Sequence, residues 1–306
     1  MRFGKGPVMS HPIQIVEVGP RDGLQNEKTV LTAGEKLDFI ARLEAAGVTR
    51  IEAVSFVNPV RVPQMADAEA VMAGLAAPHP GRVRIGLALN RRGWDRAVAA
   101  GCEEVNLVVC ASDGFGIRNQ GASVEDQLGG VRQIAALAAA GGPKLSATIA
   151  VAFGCPFDGE VPPERVAAIA EVCAGAGIGE IALADTIGVA DPWAVRARLA
   201  AVRRAAPATA LRVHFHDTRN TGLANAAAAL DEGVTILDAS CGGIGGCPFA
   251  PAATGNIATE DLVYMAERGG FSTGLDLDRL IETGRWIGEK LGRASASALA
   301  RAGRFP

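Results

Sequence analysis

Ile13-Gln14-Ile15-Val16-Glu17-Val18-Gly19-Pro20-Arg21-Asp22-Gly23 is the first strand of the chain and the turn that leaves it. The β-branched run Ile13–Val18 reads as a short buried strand. A doubly wound open sheet would carry a glycine fingerprint in this first strand-to-helix turn. Pro20, Arg21 and Asp22 do not fit that fingerprint, which leaves the closed barrel as the better α/β architecture.

The rest of the chain repeats the same unit. Further strands are expected at Arg50–Val54, Val83–Leu89, Glu104–Val109, Leu145–Phe153, Ile178–Ala184, Leu211–His216 and Val234–Asp238. Between them lie Ala/Leu-rich stretches of helical period: Gly34–Ala46, Pro63–Leu75, Arg92–Ala100, Val124–Ala139, Pro163–Ala174, Pro192–Arg204, Gly222–Glu232 and Thr259–Arg268. Pro163 and Pro192 suit a first helical turn, Asp191 and Thr259 suit N-caps, and Gly47, Gly101 and Gly233 suit C-terminal stops. Eight strand–helix units without a linker-like break give a (β/α)8 TIM barrel over residues 13–270. A flexible tail, 1–12, is expected before it, and a helical extension, 271–306, with one helix at Asp276–Leu291, after it.

Composition narrows the partners. Net charge is −3 with both signs interspersed, which argues against nucleic acid or a membrane surface. No apolar run approaches a membrane span, and Met1–Pro12 lacks the apolar core of a secretion signal. The six cysteines form no CxxC pair, so neither a disulfide framework nor a thiolate zinc site is readable. These features suit a reduced, cytoplasmic protein.

In such a barrel the chemistry collects at the C-terminal ends of the strands. Those ends offer Arg21-Asp22, Glu52, Asp185-Thr186 and His214-Phe215-His216. The last strand runs into the glycine-rich loop Gly242–Pro248, followed by Asn256. His214 and His216, two apart on a strand, share a face. Two imidazoles, a carboxylate and an amide oxygen suit octahedral Mg²⁺ or Mn²⁺. Each residue alone has a plainer reading, as a buried pair, a surface ion pair or a helix cap. Their joint placement on one rim is what favours a site. The glycine loop lacks the Lys-Ser/Thr ending of a phosphate-binding loop. It reads as a mobile lid that delivers Cys247, against the simpler reading of a tight turn with an inert thiol.

The stretch Val16-Glu17-Val18-Gly19-Pro20-Arg21-Asp22-Gly23-Leu24-Gln25-Asn26-Glu27 resembles the signature of the 3-hydroxy-3-methylglutaryl-CoA lyases, members of the DRE-TIM metallolyase barrels. The resemblance extends to Asp185–Val189, to the HxHDT stretch, and to Gly245–Ala250 leading into Gly255–Asp261. It implies a divalent cation held by Asp22, His214, His216 and Asn256, with Glu52 supporting metal waters or Arg21. It implies further that Arg21 polarises a thioester carbonyl and that Cys247 is the thiol of a mobile loop. Asp22 and His214 join these two as catalytic groups. The substrate would be an acyl-CoA, cleaved to acetyl-CoA and a ketone, acetoacetate in the parent reaction of leucine degradation and ketone-body formation. Gln25, Asp185 and Thr186 are expected at the substrate, and Ser112, Arg118 and Asn119, on a loop Ser112–Gly121, at CoA. A homodimer or higher homo-oligomer is expected.

Two departures stand out. Arg219-Asn220 replaces the usual Tyr-Gly after His-Asp-Thr, and Cys241-Gly242-Gly243 replaces Val-Ala-Gly before the lid. Arg219 could therefore read a different acyl carboxylate or a CoA phosphate. A Claisen-condensation synthase of the isopropylmalate or citramalate kind is the rival enzyme, but it normally carries a further C-terminal regulatory region. Biotin-dependent carboxyltransferase barrels use a modified lysine, and the one candidate, Lys144, starts its strand on the wrong rim. A barrel that has lost activity is the non-enzymatic alternative.

Overall fold

Eight parallel strands close on themselves in a computed structural model that describes residues 11–75, 81–246 and 255–305. They are β1 (Gln14–Glu17), β2 (Arg50–Ser55), β3 (Val83–Ala88), β4 (Glu104–Cys110), β5 (Lys144–Ala150), β6 (Glu180–Asp185), β7 (Ala210–Phe215) and β8 (Ile236–Ala239). Neighbours pair in chain order, and β1 closes the ring on β8 through Glu17 opposite Ala239. The (β/α)8 TIM barrel expected from the alternation of strand and helix is the fold observed.

The helices form where local chemistry starts and stops them. The first, α1 (Ala33–Ala45), begins with a capping box in which Thr32 and Glu35 satisfy each other's backbone amides. Its Phe39, Ile40 and Leu43 are fully buried, each burial contributing about 1.5–3 kcal/mol. The stops at Gly47, Gly101 and Gly233 all take positive φ, which glycine adopts without a Cβ clash. The remaining helices are α2 (Ala68–Gly74), α3 (Arg91–Ala99), α4 (Asp113–Gln120), α5 (Val124–Ala139), α6 (Pro163–Gly175), α7 (Pro192–Ala205), α8 (Gly222–Asp231), α9 (Thr259–Arg268), α10 (Leu277–Lys290) and α11 (Ala298–Ala302). Among the described residues no helix is long and apolar enough to cross a membrane.

Four local expectations change. Ser112–Gly121 is helix α4 rather than a loop; Gly114 and Gly116 hid it, because glycine weakens a helical pattern. Both are glycine for space: a Cβ would lie 2.1 Å from Asp158 Oδ1 at Gly114 and 2.5 Å from Gln127 Nε2 at Gly116. The single helix over Pro63–Leu75 is instead a 3₁₀ turn, Pro63–Met65, followed by α2. Gln64 at that break is turned inward to bond Leu31 N and Thr29 O. Thr259 does not cap α9; Ala258 holds the cap position, and the Thr259 hydroxyl donates to Glu17 Oε2 at 2.7 Å. Of the tail expected at 1–12, His11–Pro12 instead pairs in parallel with Phe271–Ser272.

Helix α10 packs against α1. Trp286 of α10 lies 6.1 Å from Phe39, with Arg42 over its ring at 4.7 Å. Buried charged side chains enter the barrel interior beside the apolar group of Val16, Val18 and Ile85. Arg50 of β2 bonds Glu104 of β4 at 2.7 Å and Glu180 of β6 at 2.8 Å. Arg212 of β7 reaches Glu180 at 3.4 Å and Asp238 of β8 at 3.5 Å. Charges from strands that are not neighbours meet only across the lumen, so this network fills the barrel axis below the site.

Candidate active site

The turn after β1 is a tight π-helical turn, Gly19–Gly23, anchored by Gly19 N donating to Glu17 Oε1 at 2.7 Å. It lifts Arg21 and Asp22 to the C-terminal mouth of the barrel. Arg21 Nε contacts Glu52 Oε1, and Arg21 Nη1 donates to Asp22 Oδ1 at 2.6 Å. Glu52 is held from its other side by Asn106 Nδ2 at 3.3 Å. These contacts use Nε and Nη1 of the guanidinium, and Arg21 lines the cavity at the mouth.

Asp22 Oδ2 faces both imidazoles, at 3.6 Å from His216 Nε2 and 3.8 Å from His214 Nε2. The two Nε2 atoms lie 3.1 Å apart. A cation bound at about 2.1 Å separates adjacent octahedral ligands by about 3 Å, so this triangle is the right size to hold one. Asn256 comes to the cluster through a backbone bridge to His216. Its Nδ2 donates to Asp22 Oδ2 at 2.9 Å and to Ile244 O at 3.1 Å, while its Oδ1 is buried without a hydrogen-bond partner among the described residues. As a ligand the amide would turn over and use that oxygen. Asp22, His214, His216 and Asn256 therefore fit a hard divalent cation.

Burial alone would raise the Asp22 carboxyl, but Arg21 and the two imidazoles hold it well below the usual carboxylate range. Burial alone would lower the His214 imidazole, yet the Asp238 hydrogen bond and the Asp22 charge shift it upward. Asp238, missed in the sequence, places Oδ2 3.2 Å from His214 Nδ1. Its signal was an acidic residue at the C-terminal end of the eighth strand.

The mouth holds a cavity of about 880 Å³. Gln25, Glu52, Thr186, Arg118 and Asn119 line it. Three other expected contacts do not. Asp185 accepts from Val189 N and Ala190 N, both at 2.9 Å, and so closes the turn after β6. Ser112 is the N-cap of α4, accepting from Phe115 N at 3.3 Å. Arg219 clamps the carbonyls of Ile187 and Gly188 at 3.0 and 2.7 Å. All three polar groups serve the backbone, which removes the reason to place Arg219 on the acyl carboxylate. Cys247 lies outside the described residues. The five described cysteines are buried thiols, and burial pushes Cys102, Cys110 and Cys173 up to about 12.

Beneath the mouth, Glu17 is fully buried. Burial pushes its carboxyl up to about 7, against the hydrogen bonds from Thr259, Cys241 and Gly19. The stability gained by burying this acid in neutral form is fully present below the unfolded value near 4.5 and is lost as pH rises through about 7. Glu17→Gln is therefore expected to flatten the fall of Tm between pH 5 and pH 8. A fall as steep as the parent's would refute this.

A closed α/β barrel with a His-His-carboxylate cluster at its C-terminal mouth, faced by an arginine, has the groups to hold a divalent cation. Comparison with known proteins specifies it further. The HMGL-like family model matches residues 12–287. Mitochondrial hydroxymethylglutaryl-CoA lyase of Mus musculus is 43% identical, over 95% of this chain and 89% of that one. The (R)-citramalyl-CoA lyase of Chloroflexus aurantiacus is 45% identical, over 95% of each. A solved HMG-CoA lyase of Acinetobacter baumannii, in complex with coenzyme A and 3-methylmalate, superposes with a TM-score of 0.91 at 40% identity, covering 96% of this chain and 95% of that one. The chain belongs to the HMGL-like family and is a carbon–carbon lyase.

Proposed function

We propose that the protein cleaves 3-hydroxy-3-methylglutaryl-CoA to acetyl-CoA and acetoacetate at the Arg21–Asp22–His214–His216 cluster. The observation that carries the reading is the meeting of Asp22, both imidazoles and Arg21 within hydrogen-bond and ligand range at the cavity wall. Asp22, His214, His216 and Asn256 would hold Mg²⁺ or Mn²⁺, which would supply Lewis acidity to the substrate's oxygen groups.

The side chains do the rest. The cavity holds the acyl group with its hydroxyl against Asp22, whose carboxylate takes the hydroxyl proton, while His214 holds the cation beside it. The bond between C2 and C3 then breaks, its electrons passing to the thioester as the enolate of acetyl-CoA. Arg21, fixed by Glu52 and Asp22, is already oriented when charge develops on the enolate oxygen, where preorganised charge contributes most to rate. Cys247 is assigned the protonation of the enolate carbon on the sequence resemblance alone. Gln25 and Thr186 bound the acyl pocket, and Arg118 and Asn119 meet the CoA tail.

The relative that cleaves (R)-citramalyl-CoA supports a second reading, since that substrate is also a 3-hydroxy-3-methyl acyl-CoA ending in a carboxylate, one methylene shorter. One assay separates the two. With Mg²⁺ or Mn²⁺ the purified protein is expected to release acetyl-CoA fastest from 3-hydroxy-3-methylglutaryl-CoA, and excess chelator to stop it. Faster cleavage of citramalyl-CoA would transfer the assignment, and turnover in excess chelator would remove the metal. A cytoplasmic location, a role in leucine degradation or ketone-body formation, and a homo-oligomer of two or more chains complete the proposal. Light scattering of the purified protein tests the last.

A further inference from the structure

We infer that Asp238 is a positioning residue that fixes His214 as the tautomer protonated on Nδ1, leaving Nε2 to face the cation as a bare lone pair. The inference rests on the metal reading above and names the residue that sets one of its ligands.

The geometry starts in the sheet register. His214 of β7 and Asp238 of β8 are direct cross-strand partners, so their side chains leave the same face side by side. Asp238 Oδ2 lies 3.2 Å from His214 Nδ1. An ionised carboxylate has no proton to give, so the ring nitrogen must be the donor. A neutral imidazole that donates from Nδ1 offers its lone pair at Nε2, the atom that faces His216 and Asp22.

Asp238 is itself held in place. Arg212, two residues before His214 on the same face of β7 and with no exposed surface, ion-pairs with the other carboxylate oxygen, Oδ1, at 3.5 Å. Behind Arg212 stand Glu180, Arg50 and Glu104, so Asp238 is the top of a file of alternating charges along the barrel axis. Oδ1 faces that file as an ion pair without a hydrogen bond, and Oδ2 faces the imidazole. His216 has no such anchor among the described residues, where its Nδ1 is buried without a hydrogen-bond partner. His214 is therefore the preset ligand of the pair, and outer carboxylates of this kind typically change metal affinity by about 10–100-fold. A carboxylate present only to neutralise Arg212 would affect folding without selecting a tautomer.

The test reads the tautomer directly. The chain has four histidines, so long-range ¹H–¹⁵N spectra of the full-length protein can separate them, with His214→Asn supplying the assignment. The parent is expected to show His214 protonated on Nδ1. In Asp238→Asn the amide can donate to Nδ1, so the proton is expected to move to Nε2 and Mn²⁺ affinity, by calorimetry, to weaken about 10–100-fold. Asp238→Glu should restore part of both. A parent ring protonated on Nε2, or an Asp238→Asn protein with the parent tautomer and Mn²⁺ Kd within twofold, would overturn the inference. The parent spectrum decides alone if the variant does not fold. A parent that binds no Mn²⁺ would instead refute the metal reading, while leaving the tautomer measurement intact.

Discussion

Arg21→Lys is expected to lower kcat by about 10²–10³-fold, the loss typical of removing one preorganised donor to a developing oxyanion, while divalent-cation affinity stays within a few-fold. Lysine keeps the charge, so the electrostatic environment of Asp22 is largely preserved. It cannot keep the geometry. The guanidinium spends Nε on Glu52 and Nη1 on Asp22, and that fork aims the rest of the group at the cavity. An ammonium is a point charge on a flexible stem and cannot be held from two sides while facing a third. The loss should appear in kcat more than in KM, because the enolate charge develops only as the bond breaks. Single-turnover kinetics and an Mn²⁺ titration make the check. A kcat within tenfold of the parent would remove Arg21 from the chemistry, and a collapse of metal binding would recast it as a support for Asp22.

The barrel was legible because its strands are β-branched runs set between Ala/Leu-rich helices, and every strand began within two residues of its expected start. Helix α4 was not, because the glycines that let Asp158 and Gln127 approach it are the residues that erase a helical pattern. The metal cluster was legible for a geometric reason: in a barrel all strand ends meet on one rim, so position along a strand nearly fixes membership. What the sequence cannot state is which way a polar strand-end residue turns. Asp185 and Ser112 were expected at the ligand, but their oxygens are taken by backbone amides of the turns they end, as short polar side chains often are. Asp238 was overlooked for the complementary reason. Its partner His214 is set by register between two strands, and register appears only once the sheet has closed.

Asp22→Ala should have the largest effect, because no other side chain at the mouth serves as many partners. One of its oxygens takes Arg21, and the other faces Asn256 and both imidazoles. Removing it deletes the only carboxylate of the His-His-carboxylate triangle and leaves two neutral nitrogens and one amide, a set on which Mg²⁺ has no purchase beyond its own waters. Lewis-acid stabilisation is worth several kcal/mol, and about 1.4 kcal/mol corresponds to a factor of ten. Activity is thus expected to fall by at least about 10³-fold, with Mg²⁺ and Mn²⁺ binding lost together. Asn256→Ala removes a neutral ligand and no charge, so its loss should be smaller at saturating metal. That ordering is what separates a cation site from a hydrogen-bonded cluster. If Asp22 merely oriented Arg21, its alanine variant would bind Mn²⁺ normally and lose no more than Arg21→Lys does. Parent-like Mn²⁺ calorimetry for Asp22→Ala would therefore dismantle the metal centre, whatever the variant did to turnover.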